Sequence, residues 1–335
     1  MRNSSSYYTP GLILLIGICS SCSQLEKSNA TSEVIDSQET IIENTLAKTP
    51  SVIYRSTDIG RSWTPYANGI PSDATVSSFW VNGVTIYAST DQDGIYSIKE
   101  DDSKWLRIDQ DLPEQVDINA TTSLSNVFII GTFKDGIFIS CNEGRNWEQS
   151  TTRLNHTPIR SLLSYNNIVF TGTDDGIYKS TDFGVTWKHV YKKIQTNGFT
   201  VLNNKIYAAL NNGAIMTNDE GANWKYIYTP RALHDISNDG ESVYAMTLGE
   251  GLLKSKNDGL TWKNVNGGFG EKRWYTFEVK KIDQQLFAAQ WHGIYSKDKN
   301  GNHWQIIKNG LPDSTAFSTL EITPSGLVAG IGLRK

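Results

Sequence analysis

Short β-rich runs separated by turn residues recur through the chain after residue 50. In residues 158–190, "IRSLLSY" and "NIVFTGT" are two such runs joined by a turn, "GIYKST" is a third and "TWKHV" a fourth. Runs of β-branched, apolar and aromatic residues bounded by Gly, Asn and Asp are typical of strands. The pattern predicts an all-β protein built from groups of four short antiparallel strands.

A nine-residue segment ending in Trp marks each group of strands. It reads "KSTDFGVTW" at residues 179–187, with close copies "RSTDIGRSW" at 55–63, "MTNDEGANW" at 216–224 and "KSKNDGLTW" at 254–262. A period of about 40 residues that holds four strands is typical of a β-propeller blade. With three looser copies, the Trp residues that end the segments are Trp63, Trp105, Trp147, Trp187, Trp224, Trp262 and Trp304.

The repeated segment is predicted to be the hairpin between the third and fourth strands of a blade. Asp182 is expected to accept hydrogen bonds from backbone N–H groups of its own turn. Gly184 supplies the positive φ that such a turn needs. Trp187 begins the fourth strand and is expected to fill the space beside the next blade.

The pattern Ser-x-Asp-x-Gly-x-x-Trp resembles the Asp-box, or BNR repeat, of sialidases, sortilin-type receptors, xyloglucan-active glycosidases and photosystem II assembly factors. The resemblance covers about residues 51–335. It implies that the repeated Asp and Trp residues are structural and that the Asp residues lie on the face away from a binding site. The structural residues so predicted are Asp58, Asp182, Asp219, Asp258, Trp63, Trp187, Trp224 and Trp262.

The two ends of the repeat region complement each other. Residues 51–66, "SVIYRSTDIGRSWTPY", hold only a third and a fourth strand, and residues 316–332, "AFSTLEITPSGLVAGIG", hold only a first and a second strand. The sequence therefore predicts a seven-bladed β-propeller of four-stranded antiparallel blades, in which the N- and C-terminal strands share one blade. Such closure removes a free sheet edge. Sialidases of the same repeat class have six blades.

The N-terminus has the features of a targeting segment. The apolar run "GLILLIGI" at residues 11–18 is too short to span a bilayer. Ser20 and Ser21 precede Cys22, which resembles the lipobox of bacterial lipoproteins, although Cys19 stands where that family usually has Leu. The resemblance implies cleavage before Cys22 and its acylation; ordinary secretion is the alternative.

These features predict three regions. Residues 1–21 are a lipoprotein signal peptide, residues 22–50 an acylated cysteine with a flexible tether, and residues 51–335 the propeller. Residues 23–50 lack Trp, Tyr and Phe and are rich in Ser, Thr and Glu, which favours a tether. The protein is expected in the bacterial cell envelope, lipid-anchored to the outer membrane and monomeric. The lipid is its expected contact with the membrane.

Charge and cysteine content narrow the possible partners. The formal net charge of −4 and the pI near 5.8 argue against nucleic acid as the main partner. If Cys22 carries lipid, Cys141 has no disulfide partner. Clustered Cys and His residues that suit a metal are not found in the sequence. We therefore expect no metal and no cofactor.

The loops opposite the Asp-box turns are unevenly basic and aromatic. Arginine side chains match carboxylates, and Trp and Tyr supply anchoring area. The alternative is that each charge lies in a solvated loop, with Arg160 paired to Asp174 or Asp175. The candidate ligand-binding residues are Arg153, Arg160, Lys192, Arg231, His234, Arg273, Trp274, Tyr275, Trp291 and His292.

Two classes of function fit the sequence. The first is a non-catalytic binding or assembly propeller that recognises a protein, peptide or anionic ligand on its loop face, as the resemblance to assembly factors and sortilin-type domains implies. The second is a glycoside hydrolase or carbohydrate-binding propeller. A sialidase-like site would use Arg160, Arg231 and Arg273, but these do not occupy equivalent positions. A β-glucan-active site would need a pair of carboxylates, with Asp91, Asp93, Asp174 and Asp175 as candidates.

Overall fold

The chain folds into a β-propeller. The structure is a computed structural model, and among the residues it describes there are strands and turns but no helix. Each sheet contains four strands, and there are seven sheets. The predicted all-β fold with seven antiparallel blades is confirmed. The residues described are 51–150, 154, 156–192, 194–228, 231–270 and 275–332.

The strands follow one another in the order of the blades. They are β1 (Ile53–Ser56), β2 (Thr64–Pro65), β3 (Val76–Asn82), β4 (Thr85–Thr90), β5 (Ile95–Lys99), β6 (Leu106–Arg107), β7 (Ile118–Leu124), β8 (Val127–Thr132), β9 (Ile137–Ser140), β10 (Glu148–Gln149), β11 (Ile159–Tyr165), β12 (Ile168–Thr173), β13 (Gly176–Ser180), β14 (Lys188–Lys192), β15 (Thr196–Leu202), β16 (Lys205–Leu210), β17 (Gly213–Thr217), β18 (Lys225–Tyr228), β19 (Leu233–Asn238), β20 (Val243–Thr247), β21 (Gly251–Ser255), β22 (Lys263–Asn264), β23 (Thr276–Ile282), β24 (Gln285–Gln290), β25 (Gly293–Asp298), β26 (Gln305–Ile306), β27 (Phe317–Thr323) and β28 (Gly326–Ile331).

Six blades are continuous in sequence and the seventh is shared. Blades 1 to 6 are β3–β6, β7–β10, β11–β14, β15–β18, β19–β22 and β23–β26, and blade 7 has the order β27, β28, β1, β2. In blade 7, Ile53 lies opposite Gly330 and Ser56 opposite Leu327 in an antiparallel pair. The predicted closure is confirmed. The first strands of neighbouring blades contact one another and form the inner wall of the ring.

The register of each blade defines two faces of the ring. In blade 3, Tyr165 pairs with Ile168 at one end of the hairpin and Ile159 pairs with Thr173 at the other. The face that carries the hairpin between the first two strands also carries the repeated segment, and we call it the turn face. The opposite face carries the link between the second and third strands and the links between blades. We call it the loop face.

The hairpin of the repeated segment is held by a fixed set of hydrogen bonds. In blade 3, the Ser180 hydroxyl donates to Asp182 Oδ1 at 2.7 Å and accepts from the Gly184 N–H at 2.8 Å. The Thr186 N–H closes the turn by donating to Asp182 Oδ1 at 2.8 Å. Gly184 has a φ of 89°, which residues with a Cβ rarely adopt. The Asp182 carboxylate is thus occupied by its own turn.

Asp58 and Asp219 make the equivalent contacts in their blades. The side chain and backbone of Ser62 donate to Asp58 at 2.6 and 2.9 Å and lower the pKa of Asp58 to about 2. Thr217 Oγ1 donates to Asp219 at 2.6 Å, and the Asn223 backbone at 2.9 Å, which lowers the pKa of Asp219 to about 2. Hydrogen bonds to the charged form are the cause in both cases.

The structure corrects the prediction for Asp258. The turn position in its segment is held by Asn257, whose Oδ1 accepts from Ser255 Oγ and from the Thr261 N–H, both at 3.0 Å. Asp258 is the next residue, and its carboxylate points to blade 4. There it accepts from Lys205 Nζ at 2.6 Å and from the Tyr207 hydroxyl at 2.8 Å. Asp258 therefore joins two blades instead of closing its own turn.

The repeated Trp residues fill the gaps between blades, but on the side opposite to that predicted. Trp224 of blade 4 packs edge-on against Phe170 of blade 3, with ring centroids 6.3 Å apart. Trp262 of blade 5 donates from Nε1 to the Ile227 carbonyl of blade 4 at 3.2 Å. Each therefore packs on the preceding blade. The reason is the turn glycine, since a Cβ on Gly221 would lie 2.8 Å from Phe170 Cε1.

Candidate binding surface on the loop face

The first strand of every blade begins with a β-bulge on the loop face. In blade 2 the pairing with the second strand shifts between Ile118 and Ala120, and the same shift recurs in the other six blades. A bulge leaves one residue unpaired and redirects its side chain. The Asn119 side chain in blade 2 donates to the Ile159 carbonyl of blade 3 at 3.1 Å. The Asn197 side chain in blade 4 donates to the Leu233 carbonyl of blade 5 at 2.6 Å.

Two of the predicted ligand-binding residues, Arg160 and His234, occupy this bulge position in blades 3 and 5. Neither side chain makes the bridge that asparagine makes: Arg160 pairs with Asp174 and His234 stacks on Tyr275. Phe277 occupies the position in blade 6. The bulge thus explains why residues of different chemistry are presented at one edge of the inner wall.

Four rings form an aromatic cluster between blades 5 and 6. The His234 ring stacks on Tyr275, with centroids 4.2 Å apart and an interplanar angle of 7°. Tyr275 meets Phe277 at 4.8 Å and Trp291 edge-on at 6.0 Å. The Trp291 N–H donates to the Tyr275 carbonyl at 3.3 Å, which holds the two loops together. Three of the predicted residues are therefore brought together, and Phe277 is added to them.

His234 contributes to this surface as a neutral ring. Burial lowers the pKa of His234 to about 4, so the imidazole carries no charge at neutral pH. Its Nε2 is buried and has no hydrogen-bond partner among the described residues. His234 was predicted among basic and aromatic loop residues, and it contributes an uncharged aromatic ring instead of a positive charge.

Asp235 follows His234 and faces blade 4. Its Oδ1 accepts a hydrogen bond from the Ile236 N–H at 2.7 Å. Burial raises the pKa of Asp235 to about 8, with a smaller contribution from the nearby Glu278. The carboxyl group therefore holds a proton at neutral pH and is able to donate a hydrogen bond.

Deeper along the inner wall, one ammonium group joins two carboxylates. Lys280 Nζ lies 2.8 Å from Glu278 Oε1 in its own strand and 2.9 Å from Glu321 Oε2 in blade 7. Glu278 also accepts the Leu320 N–H at 2.9 Å. Burial raises the pKa of Glu278, while Lys280 acts in the opposite direction. This group ties blade 6 to the shared blade.

The predicted arginines are already paired with carboxylates. Arg160 forms an ion pair with Asp174 in the next loop of its own blade, as the alternative interpretation proposed, and its guanidinium lies 6.0 Å from the Phe133 ring centroid. Arg231 pairs with Glu250, which also accepts the Tyr228 hydroxyl at 3.2 Å. Neither arginine is left as an uncompensated cation on the loop face.

The remaining predicted residues are not drawn into the cluster. Lys192 is exposed at the end of β14, and His292 is half-buried beside Trp291; neither forms an ion pair within the described part of the chain. Arg153, Arg273, Trp274 and the proposed lipid attachment site Cys22 lie outside the described residues.

Two of the carboxylate candidates for a hydrolase, Asp174 and Asp91, are engaged by other side chains. Asp174 binds Arg160. Partial burial and a hydrogen bond with Asp117 raise the pKa of Asp91 to about 6. Carboxyl groups in hydrogen-bonding contact are closer than the separation of about 5 Å or more that glycosidase pairs use.

Among the described residues, no group of three or more His, Cys, Asp or Glu side chains could hold a metal ion. No helix in the described ranges is long and apolar enough to cross a bilayer.

Comparison with solved structures finds proteins of the same fold. YCF48 bound to D1 peptide has a TM-score of 0.61 at 13% identity, over 77% of this chain and 91% of that chain. The GH74 enzyme of Niastella koreensis has a TM-score of 0.62 at 15% identity, over 85% of this chain and 56% of that chain. The extracellular domain of the hybrid two component system BT4673 from B. thetaiotaomicron has a TM-score of 0.63 at 14% identity, over 79% of this chain and 38% of that chain.

At such low identity these similarities show the β-propeller fold alone. No protein-family model and no curated protein sequence matches the chain.

Proposed function

We propose that the chain is a non-catalytic binding propeller that recognises a polypeptide segment on its loop face, at the boundary of blades 5 and 6. The observation that carries the proposal is the aromatic cluster of His234, Tyr275, Phe277 and Trp291. Aromatic side chains with a polar atom are enriched where proteins bind one another, because they bring large contact area at low entropic cost.

The cluster suits a ligand segment without net charge. The His234 ring is neutral at neutral pH, and it packs with the uncharged rings of Tyr275, Phe277 and Trp291. Because Arg160 and Arg231 are compensated by their own carboxylates, charge attraction to an anionic ligand is the weaker interpretation. The ligand expected is a polypeptide segment with an apolar or aromatic side chain that packs on these rings.

The fold similarities are compatible with this proposal. YCF48 bound to D1 peptide is a chain that this protein covers almost completely, at 91% of its length. By contrast, the chain spans only 56% of the GH74 enzyme of Niastella koreensis. Because this chain and YCF48 are each little more than one propeller, the comparison supports a single ring that binds a peptide without a further domain.

Glycoside hydrolysis is the second candidate, supported by the raised pKa of Asp91. A carboxyl group with a pKa of about 6 suits a general acid. If this were its role, Asp91→Asn would abolish release of sugar from xyloglucan or a sialoside. Absence of any such release by the wild-type chain would exclude both substrates.

We further propose that the propeller is lipid-anchored through Cys22 to the outer membrane of a bacterial envelope, with residues 22–50 as the tether. The support is the apolar run followed by two serines and a cysteine. Labelling of cells with a radioactive or alkyne fatty acid should mark the wild-type chain and not Cys22→Ala. Equal labelling of both would contradict the proposal.

Site-specific photocrosslinking tests the binding surface. Leu248 is 48% exposed and its N–H donates to the Ala232 carbonyl, beside the start of β19 on the loop face. Leu260 is 72% exposed in the repeated segment of the same blade, on the turn face. Each is replaced in turn by benzoylphenylalanine in the full chain, and crosslinks are mapped in its own cells by mass spectrometry.

We expect a polypeptide crosslinked through position 248 and not through position 260. Trp291→Ala should reduce the crosslink at 248 while the unfolding temperature shows that the variant is folded. A crosslink of equal yield at both positions, or one at 248 that Trp291→Ala leaves unchanged, would contradict a binding surface at the aromatic cluster.

A further inference from the structure

A concave site lies near the turn face, between the outer strands of blades 5 and 6. Its volume is about 460 Å³, which is within the range of small-molecule sites. Its lining contains no Asp or Glu among the described residues, although the chain as a whole is acidic. Five lysines line it: Lys254, Lys256, Lys263, Lys297 and Lys299.

The strands bring these like charges together. Lys254 and Lys263 lie directly opposite each other in the pairing of β21 with β22. Like charges in opposing positions of two antiparallel strands are destabilising. Lys256 follows β21 and is exposed, as is Lys263. The opposing lysines therefore concentrate positive charge on one wall of the cavity.

Only two of the five lysines form an ion pair with a carboxylate among the described residues. Lys254 Nζ lies 3.2 Å from Asp239, and Lys299 Nζ lies 2.7 Å from Glu241. Lys256, Lys263 and Lys297 form no ion pair with any residue that the structure describes, so three charges in the cavity remain unmatched. These three are the charges an anionic ligand would meet.

Lys297 differs from the other two because its side chain is buried. It is only 8% exposed, and its Nζ lies 4.7 Å from the centroid of the Trp304 ring. Burial lowers the pKa of Lys297 and repulsion from Lys254 adds to the effect, while Asp239, the carboxylate that pairs with Lys254, acts in the opposite direction. Lysine is almost never buried without a partner. A bound anion would supply that partner.

We propose that this cavity binds a phosphate or sulfate ester group of a small polar ligand. Ammonium groups bind such oxyanions as point charges, and several of them together match a doubly charged group. The side chains of Asn300 and Asn302 line the same cavity and make no hydrogen bond among the described residues. They are available for the hydroxyl groups of a sugar that carries the ester.

Calorimetric titration of the full-length chain tests the site. The probes are inorganic phosphate, inorganic sulfate, glucose 6-phosphate and glucose 6-sulfate, with glucose as the uncharged comparison. We expect saturable binding of at least one anion and none of glucose. Binding of the inorganic ions would show that the oxyanion suffices, and binding of the esters alone would show that the sugar contributes.

The double variant Lys256→Gln/Lys263→Gln should weaken binding by about tenfold or more, since each lysine makes a charge-assisted contact. Both positions are exposed and unpaired, so the fold should be unaffected. The matched control is Lys188→Gln/Lys225→Gln, in which both residues directly follow the repeated Trp of blades 3 and 4, as Lys263 does in blade 5. It should bind like the wild type.

Lys297→Met gives a second variant that keeps the volume of the buried stem and removes the charge. It should weaken binding at least as much as the double variant, in a protein whose folded state is checked by circular dichroism. The proposal is wrong if none of the four anions binds saturably. It is also wrong if glucose binds as well as its esters, or if the control pair loses as much affinity as the cavity pair.

Discussion

Gly198 on the first strand of blade 4 lies directly against the carboxyl group of Asp235 on the first strand of blade 5. A Cβ on Gly198 would come within 1.9 Å of Asp235 Oδ1. Because the contact includes the Asp235 Cα at 3.2 Å, the neighbouring strand has little room to move. The glycine is required by the neighbouring carboxyl group, since its own φ is unexceptional.

Gly198→Ala should therefore destabilise the fold by about 1–3 kcal/mol, the range for overpacking a tight site. Chemical denaturation gives the free energy of unfolding. Asp235→Ala should rescue most of this loss, since contacting residues couple. If Gly198→Ala were equally harmful with and without the Asp235 carboxyl, the clash would not be its cause.

The neighbours His234 and Asp235 predict an unusual dependence of stability on pH. The pKa of Asp235 is raised to about 8, so between about pH 4 and 8 the folded state holds a proton that the unfolded state releases, and stability falls with rising pH. The pKa of His234 is lowered to about 4, so between about pH 4 and 6.5 the unfolded state holds a proton that the folded state lacks, and stability rises with pH.

The two effects oppose each other below about pH 6.5, and only that of Asp235 remains from there to about pH 8. Asp235→Asn should remove a decline of up to about 1.4 kcal/mol per pH unit in the upper window. In the lower window the variant should lose the decline due to Asp235, so that the gain from His234 is opposed only by the raised carboxyl groups of Asp91 and Glu278. Unfolding free energies measured from pH 4 to 8 check both signs, and parallel curves for wild type and variant would refute the assignment.

Lys280 and Lys281 are adjacent in sequence but differ in their partners. Lys280 joins Glu278 and Glu321 on the inner wall, whereas Lys281 meets the exposed Glu241 at 3.5 Å. Removing one member of a buried ion pair lowers the free energy of unfolding by about 3–5 kcal/mol. Because Lys280 and its two carboxylates are partly exposed, we expect a loss of about 2–3 kcal/mol for Lys280. Surface pairs contribute about 0–1 kcal/mol.

Lys280→Met should therefore unfold at a clearly lower denaturant concentration than the wild type, and Lys281→Met should be almost unchanged. Similar midpoints for the two variants would mean that the inner-wall group does not hold blade 6 to blade 7.

The repeated Trp residues should differ in their contribution to stability. Trp105 is 1% exposed and its Nε1 donates to the Tyr66 carbonyl at 2.6 Å, while Trp187 is only partly buried. Trp105→Ala should cost about 3–5 kcal/mol, the range for a buried aromatic side chain. Trp187→Ala should cost less, since water already reaches part of its ring. Equal losses in thermal or chemical unfolding would show that burial is not what separates them.

The architecture was predictable because it is set by local patterns that repeat. Trp residues at regular intervals, turn glycines such as Gly184 and incomplete strand sets at the two ends were sufficient for the number of blades and for closure. The side of packing was not predictable in this way. Whether Trp224 meets the preceding or the following blade depends on how closely Gly221 approaches Phe170, which is a property of the assembled ring.

The loop face was predictable in part. His234, Tyr275 and Trp291 were found from their place in the loops, but their charge state depends on burial. Asp235, Glu278 and Lys280 are not among the predicted residues, because the candidates come from the loops and these three lie within first strands. The signal was present in "LHDISN" and "TFEVKKI", where charged residues interrupt strands expected to line the inner wall.

The shared blade sets the order in which the ring is completed during synthesis. Arg55 in β1 donates to Ser325, a residue 270 positions later in the chain. At typical rates of translation this separation corresponds to roughly 15–55 s, during which blades 1 to 6 are able to form one after another while β1 lacks its neighbour. For that time its edge is exposed to other chains, and the last strands to leave the ribosome remove this hazard.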